Sequence, residues 1–467
     1  MPICLESATM KQSQAGIALS VLPQTFRDAI SVVRSAGQKY LWIDSLCIIQ
    51  DSSEDWAREA MQMGSIYDGA WCTIAATRSR DSTEGCFVAR DPRLLRPCTY
   101  EPPPDLRSPK LGNGPVYIVN SSLWISNVDK APLNSRAWVI QERLLSPRII
   151  HFGAQQVFWE CQELAACESF PAGLPEDIIE QVPQMPTRSF NSFKRLLAPF
   201  PDVVRGAIPP PFLAYEAWCE IIAGYTKCGL TQSKDKLVAI AGIAKRLQPY
   251  LNDAPCAGFW RKSLAHGLAW TWARGGQLYR PDTIRAPSWS WASVEGPVEF
   301  NLHKRWNVTV EVVSCNAPTK DGSGFGELEV GNAHLTLRGQ LQPVQWERQE
   351  TMPFMISGVS TMITPWTPKI GRVEFPWWDI TWDNGRPTTD GLDEPLRNTL
   401  FVVPLGWSDN TGPRQGVRVV GLLLQKQNSS VGGAWYERVG LLNVVREKRH
   451  PDLDALFRGS FCSFSLK

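Results

Sequence analysis

The 467-residue sequence reads as an α/β segment, a helical region and a β-rich C-terminal part, α+β over the whole chain. Three observations predict this. Residues 22–76 alternate helix-period apolar stripes with short apolar runs. Residues 212–272 place apolar residues at helical spacing. Beyond Pro287, short alternating runs are separated by turn signals. The boundaries expected from these shifts are 1–163, 164–285 and 286–467.

In chain order, Leu22-Pro23 precedes an apolar stripe at Phe26, Ala29, Ile30 and Val33, with Pro near the first turn and Gly37 closing the helix. Tyr40–Ile43 then reads as a buried strand with Asp44 at its C-terminal end. A second helix is expected from about Ser53, its cap, through Trp56, Ala60, Met63 and Tyr67, and Trp71–Ala76 as the next strand. Helices alternating with short apolar strands argue for a parallel sheet with crossovers. Residues 91–132 form a long excursion, Ala137–Leu145 a short helix and Val157–Trp159 a strand. From about 164 to 212 the chain is a Pro-rich connector of limited structure. Phe212–Trp272 is helical. The β-rich part then holds Ser288–Val294, Val308–Val313, Leu335–Leu341, Leu400–Val403, Val419–Leu424 and Val439–Val444, with turns at Asp321-Gly322, Asn384-Gly385 and Gly432-Gly433. The glycines of 322–326 mimic a phosphate loop, but no helix pattern follows and a hairpin is expected.

Charge excludes some partners. Lys and Arg number 48 against 46 Asp and Glu, a net +2, with no basic stripe for nucleic acid. No run approaches the ~20 apolar residues of a membrane helix, and the N-terminus lacks the apolar core of a signal peptide. The 12 cysteines are dispersed without a C-x-x-C pair, and the five histidines do not cluster, so no metal site is read. Such thiols fit a reducing, cytoplasmic setting.

Three blocks are dense in Trp, Cys and polar residues. The first runs Tyr40-Leu41-Trp42-Ile43-Asp44-Ser45-Leu46-Cys47-Ile48-Ile49-Gln50-Asp51. The second is Pro132-Leu133-Asn134-Ser135-Arg136-Ala137-Trp138-Val139-Ile140-Gln141-Glu142-Arg143-Leu144-Leu145, ending later in Phe158-Trp159-Glu160-Cys161. The third is Pro287-Ser288-Trp289-Ser290-Trp291-Ala292-Ser293. Together they resemble the fungal heterokaryon-incompatibility (HET) domain family: the first two cover the HET domain proper, about residues 17–161, and the third looks like the C-terminal part common in such proteins. The resemblance implies a TIR/flavodoxin-like α/β fold, a role in nonself recognition and programmed cell death, protein partners with self-association, and no required cofactor. HET domains open with a strand like Ser-Tyr-x-Trp-Gly. None is present, so the first strand is expected to be missing, which also admits a degenerate, inactive member. Some TIR-type domains cleave NAD with a helical glutamate after a Trp. Trp138-x-x-Gln141-Glu142 resembles that motif, which makes NAD a candidate substrate and Glu142 its candidate catalytic carboxylate.

The other candidate residues each read two ways. Asp44 is a ligand contact at a strand's carboxyl end or a turn cap. Cys47 is a nucleophile or, the favoured reading, a packed core thiol. Gln50 belongs to the same block. Glu142 either stabilises a ribosyl cation, as carboxylates do in glycoside hydrolysis, or ties its helix to a neighbouring Arg. Arg136 binds phosphate or is structural. Trp56, Trp138 and Trp159 read as core aromatics, and Trp289 and Trp291 as one packed face of a strand.

Overall fold

In the computed structural model of the chain the described residues are 3–95, 98–101, 103, 116–118, 120–175, 194, 211–273, 278–300, 306–348, 352–356, 359–363, 366–370, 373–374, 380–383, 399–410, 416–427, 434–446 and 456–467. The chain divides into two compact units. One comprises Met1–Ile208, Cys228–Leu230 and Val238–Leu247; the other comprises Pro209–Lys227, Thr231–Leu237 and Gln248–Lys467.

In the first unit, α1 (Met10–Ala15) precedes α2 (Gln24–Ser35). Gly37 ends α2 as expected: its φ of 67° lets its N–H reach Arg34 O at 3.0 Å while the Gln38 N–H reaches Val33 O at 2.9 Å. Tyr40–Ile43 is not the buried strand expected. No described strand pairs with it, and Tyr40 is 92% exposed. Without a ladder, apolar character does not make a strand. Asp44 therefore does not end a strand but starts the single-turn α3 (Asp44–Cys47). The next helix, α4 (Ser53–Gly69), is capped by Ser52 rather than Ser53, the Ser52 hydroxyl accepting the Asp55 N–H at 3.2 Å.

The short strand β1 (Thr73–Ala75) follows, then the antiparallel pair β2 (Cys98–Tyr100) and β3 (Val116–Ile118), and α5 (Ala137–Leu145). Next come β4 (Arg148–Phe152), β5 (Val157–Cys161) and β6 (Ala165–Cys167). The sheet order is β1-β4-β5-β6. Only β1 and β4 are parallel, with Ile74 opposite Ile150; β4–β5 and β5–β6 are antiparallel. The parallel sheet expected from helix–strand alternation is thus realised in one pair, because the β4–β5 connection is too short for a crossover. β6 also takes the start of the supposed connector into the sheet: its buried Ala165, Ala166 and Cys167 pack where a loop cannot. Most of the remaining connector lies outside the described residues. Leu123, Trp124, Val128, Phe158, Ala165, Cys167 and Leu174 form the core beneath the sheet.

The second unit opens with α6 (Pro211–Tyr225), which is apolar on nearly all sides and buried accordingly. Trp260–Trp272 is not the helix expected. Phe259–Trp260 and Trp270–Trp272 are strands flanking a four-residue helix, Leu264–Gly267. Ser288–Val294 is likewise not a strand. Trp291–Ser293 is a 3-10 turn, and both Trp289 and Trp291 are fully buried instead of sharing one face. Seryl hydroxyls bend this run: Ser290 donates to Ala257 O at 2.7 Å and accepts the Ala292 N–H at 3.0 Å, the local competition that polar side chains offer a ladder.

The remaining predicted β runs fall in one mixed sheet. Strands 400–410, 416–427, 435–446, 460–466 and 334–343 pair in that order, and 334–343 returns to 400–410 through Gln342 opposite Val402. The circuit of pairing closes and removes most free edges. Its interior holds Val402, Val419, Leu423, Leu442 and Val444. Asp321-Gly322 turns as expected, the Gly322 N–H bonding Thr319 O at 2.9 Å; Asn384-Gly385 and Gly432-Gly433 lie outside the described residues. One departure concerns the thiols. Cys256 and Cys315, 59 residues apart with Cα atoms separated by 6.8 Å, form a disulfide, where only free thiols were expected. Their sequence distance carries no pairing signal; strand packing brings them together. Among the described residues no helix is long and apolar enough to cross a membrane.

The cross-link closes a long loop, which restricts the unfolded chain. Replacing Cys315 with Ser is expected to lower the unfolding free energy by about 2–4 kcal/mol, read by denaturant unfolding without reductant.

Candidate functional site

α5 presents two different chemistries on opposite sides. Successive residues on a helix point about 100° apart, so Glu142 and Arg143 face different surroundings. Arg143 enters the core. Its Nε donates to Glu160 Oε2 at 2.7 Å and its Nη1 to Asp129 Oδ1 at 2.9 Å. His151 Nε2 lies 2.9 Å from the same Glu160 oxygen, and His151 Nδ1 lies 3.0 Å from the Thr77 hydroxyl. Lys194 Nζ stands 4.0 Å from Glu160 Oε1. Burial alone would raise the Glu160 carboxyl, but the charges of Arg143 and Lys194 and the His151 bond hold it well below the usual range. Burial drives His151 the other way, towards its neutral form, against the pull of Glu160. Thr77, His151 and Glu160 have the connectivity of a hydroxyl–imidazole–carboxylate relay. All three are fully buried, so no substrate reaches the hydroxyl and the group acts as an anchor.

On the other side of α5, Glu142 meets residues from three places. Tyr67, in the last turn of α4, Asp44 and Arg136 all act on the charge of the Glu142 carboxyl. Burial first, and the Asp44 charge second, push the Glu142 carboxyl up to about 7, against Tyr67 and the Arg136 charge. Tyr67 is raised well above the usual phenol range by burial and by the Glu142 and Asp44 charges. The Trp42 ring stands edge-on to Tyr67 with centroids 5.7 Å apart. Of the two neighbouring arginines that Glu142 could tie its helix to, Arg143 is committed elsewhere, to Glu160 and Asp129, which leaves Arg136 as the nearby cation.

The structure brings together Asp44, Arg136 and Glu142 from the sequence-derived candidates. Asp44 and Arg136 are exposed, and Glu142 is half-buried. The others do different work. Cys47 is exposed at the end of α3, not packed in a core, because a single surface turn has no interior side. Gln50 closes the loop after α3, its Nε2 donating to Ile48 O at 3.0 Å. Trp138 packs edge-on to Trp56 at 6.3 Å. Gln141 is buried and accepts the Gly242 N–H at 2.7 Å. There α4 comes so close that a Cβ on Gly64 would sit 3.0 Å from the Gly242 Cα.

Sequence reasoning did not single out Tyr67 or the Arg143–Glu160–His151 network. A signal for the latter exists: in Val157–Cys161 only Phe158 and Glu160 are buried. An acid on the buried phase of a strand needs a cation. Among the described residues no group of His, Cys, Asp and Glu is arranged to hold a metal ion.

The cluster's four polar residues fall inside one matched segment. Residues 5–142 match the heterokaryon incompatibility protein (HET) family. No curated protein and no solved structure matches the chain. The HET match ends on Glu142, so it spans the Asp44–Tyr67–Arg136–Glu142 cluster. The Glu160 and His151 anchor lies beyond it.

The raised carboxyl has a stability consequence. Between the ordinary carboxyl range and about 7, the folded chain holds a proton that the unfolded chain has lost. Stability therefore falls as pH rises through that window, and the full cost is present above it. Glu142→Gln should melt at a higher temperature than the parent at pH 8, with the gain shrinking towards pH 4.5. A pH-independent difference in thermal melts would contradict this.

Proposed function

We propose that the chain acts in fungal nonself recognition of the heterokaryon-incompatibility type and in cell-death signalling. The HET match over residues 5–142 carries this reading. In this reading the chain works in the cytoplasm through protein partners and self-association of its HET segment, with no required cofactor. The near-neutral charge of +2 suits such contacts better than a nucleic-acid partner. Overexpression in a fungal cell is expected to arrest growth. Normal growth at a verified protein level would overturn the reading.

A second reading, favoured by the Glu142 cluster, is that the signal is enzymatic: NAD glycohydrolysis. A carboxyl with proton affinity raised to about 7 beside a second carboxylate, a phenol and a guanidinium has the make-up of a site for charge-developing chemistry. In the reaction the bond from ribosyl C1′ to the nicotinamide nitrogen breaks, and its electron pair leaves with the nitrogen. Nicotinamide departs neutral, so no proton donor is needed. The positive charge left on the ribosyl ring is stabilised by the ionised Glu142 carboxylate, and water adds to C1′ with loss of a proton. Arg136 suits the diphosphate of the substrate. Because the ionised carboxylate is the working form, NAD consumption should rise as pH rises through about 7. Glu142→Ala should abolish it. Undiminished turnover in that variant would exclude Glu142, and growth arrest without any NAD loss would leave recognition alone as the function.

A further inference from the structure

We propose that the Cys256–Cys315 bond is a redox-sensitive brace, whose thiol–disulfide state sets the conformation of the Pro255–Trp260 hairpin and, through it, of the Ser288–Ser293 run. This goes beyond the recognition reading and uses no residue of the HET segment.

The setting of the bond points to a switch. Among the described residues none of the ten other cysteines forms a disulfide, although Cys47 and Cys98 are exposed. Where a chain keeps its other thiols reduced, a single disulfide is typically transient or redox-sensing. Cys315 lies on Glu311–Asn316, which among the described residues pairs only with His334–Pro343 and so ends the sheet. An edge strand has one ladder to break where an inner strand has two, so it opens at lower cost.

The other end of the bond holds a strained turn. Pro255–Cys256 and Phe259–Trp260 pair as a hairpin, and its turn residues Ala257 and Gly258 have φ of 49° and 85°. Alanine at that φ persists only where its surroundings hold it. One hold is covalent, through the neighbouring Cys256. The others are bonds to the turn's carbonyls. Ala257 O accepts the Ser290 hydroxyl at 2.7 Å, and Gly258 O accepts the Trp291 and Trp218 indole N–H groups at 2.9 and 3.2 Å. The fit is tight: a Cβ on Gly258 would fall 2.7 Å from Trp291 Nε1. Loss of the covalent hold therefore reaches Ser290 and Trp291 directly. The hairpin stays docked without it, because Phe325 packs edge-on to Trp260 at 6.4 Å. Both thiols thus stay within reach of each other, and the change is reversible.

The chemistry is thiol–disulfide exchange with a small thiol such as glutathione. Its thiolate attacks the Cys315 sulfur, on a residue 6% exposed against 1% for Cys256. The S–S bond breaks, and its electron pair goes to the Cys256 sulfur, which takes up a proton. A second thiolate attacks the glutathione sulfur of the mixed disulfide and releases Cys315, which is protonated in turn. The chain gains two electrons and two protons, and the reagent ends as its own disulfide.

The test equilibrates the full chain with reduced or oxidised glutathione, traps thiols by alkylation and reads them by mass spectrometry, with backbone deuterium exchange on the same samples. Reduced glutathione is expected to give Cys256 and Cys315 as alkylated thiols in the folded chain, and glutathione disulfide to restore the bond. Exchange over 255–260 and 288–293 should be about five- to tenfold faster in the reduced chain, the opening that follows a net loss of about one hydrogen bond. Exchange over 416–427 and 435–446 should not change. The double variant Cys256→Ala with Cys315→Ala should show the fast value in both buffers; if it does not fold, the comparison of the two states of the parent chain decides alone. A bond that survives reduced glutathione in the folded chain, thiols that never pair, or equal exchange in the two states would overturn the proposal.

Discussion

The buried Arg143–Glu160 ion pair is the constraint on which the first unit depends. Glu160 is fully enclosed on β5, and a lone carboxylate there would be prohibitively costly. Arg143 bonds it at 2.7 Å and spends a second N–H on Asp129, which draws α5 down onto the sheet and fixes its rotation. Replacing one partner of such a pair typically costs about 3–5 kcal/mol. Its contribution is therefore as much geometry as stability. With Arg143 committed inward, the preceding residue must face elsewhere, and that residue is Glu142. The anchor also explains why a hydroxyl–imidazole–carboxylate connection at Thr77, His151 and Glu160 has no catalytic consequence. It is spent on holding the scaffold.

The exposed side of α5 is built differently. Its polar groups come from α3, α4 and the residue before α5, and they oppose one another: two carboxyls repel, while a phenol and a guanidinium offset part of that repulsion. A site relaxed for stability would not place Asp44 near Glu142. The contrast between a balanced anchor and an unbalanced cluster, on adjacent residues of one helix, gives the HET segment of residues 5–142 a physical centre. The second unit shows the anchor principle again. Arg438 is wholly buried, gripping Asp383 with two N–H groups at 2.7 and 3.0 Å and capping the carbonyls of Leu268 and Trp270 at 2.6 Å each. This ties the tryptophan-rich turns to the closed circuit of strands.

Much of this was legible in the amino-acid sequence where local pattern decides the outcome. The bounds of α5, the Gly37 helix stop and the positions, though not the lengths, of the C-terminal strands follow from periodicity and turn chemistry. Asp44, Arg136 and Glu142 could each be singled out because they sit in motif blocks, but nothing in the sequence paired them. What was illegible depends on distant partners. Tyr40–Ile43 has strand composition but no ladder. Trp289 and Trp291 alternate in sequence, yet Ser290 and Ser293 fold their segment into a turn. Cys256 and Cys315 meet only because two strands pack together. Glu160 and Arg143 are 17 residues apart, and only the strand alternation that buries Glu160 with Phe158 hints at the pair. Tyr67 was hidden for the same reason: it acts on Glu142 from another helix.

The buried anchor sets the half-buried Glu142 carboxyl. The most direct measurement is the titration midpoint of Glu142 in a chain with Arg143→Met and Glu160→Met together, since apolar residues of similar size often replace a buried ion pair without loss of fold. The midpoint is expected to fall from about 7 towards the ordinary 4.5, because α5 loses its fixed rotation and the carboxyl gains water. A folded double variant whose Glu142 still titrates at about 7 would contradict it.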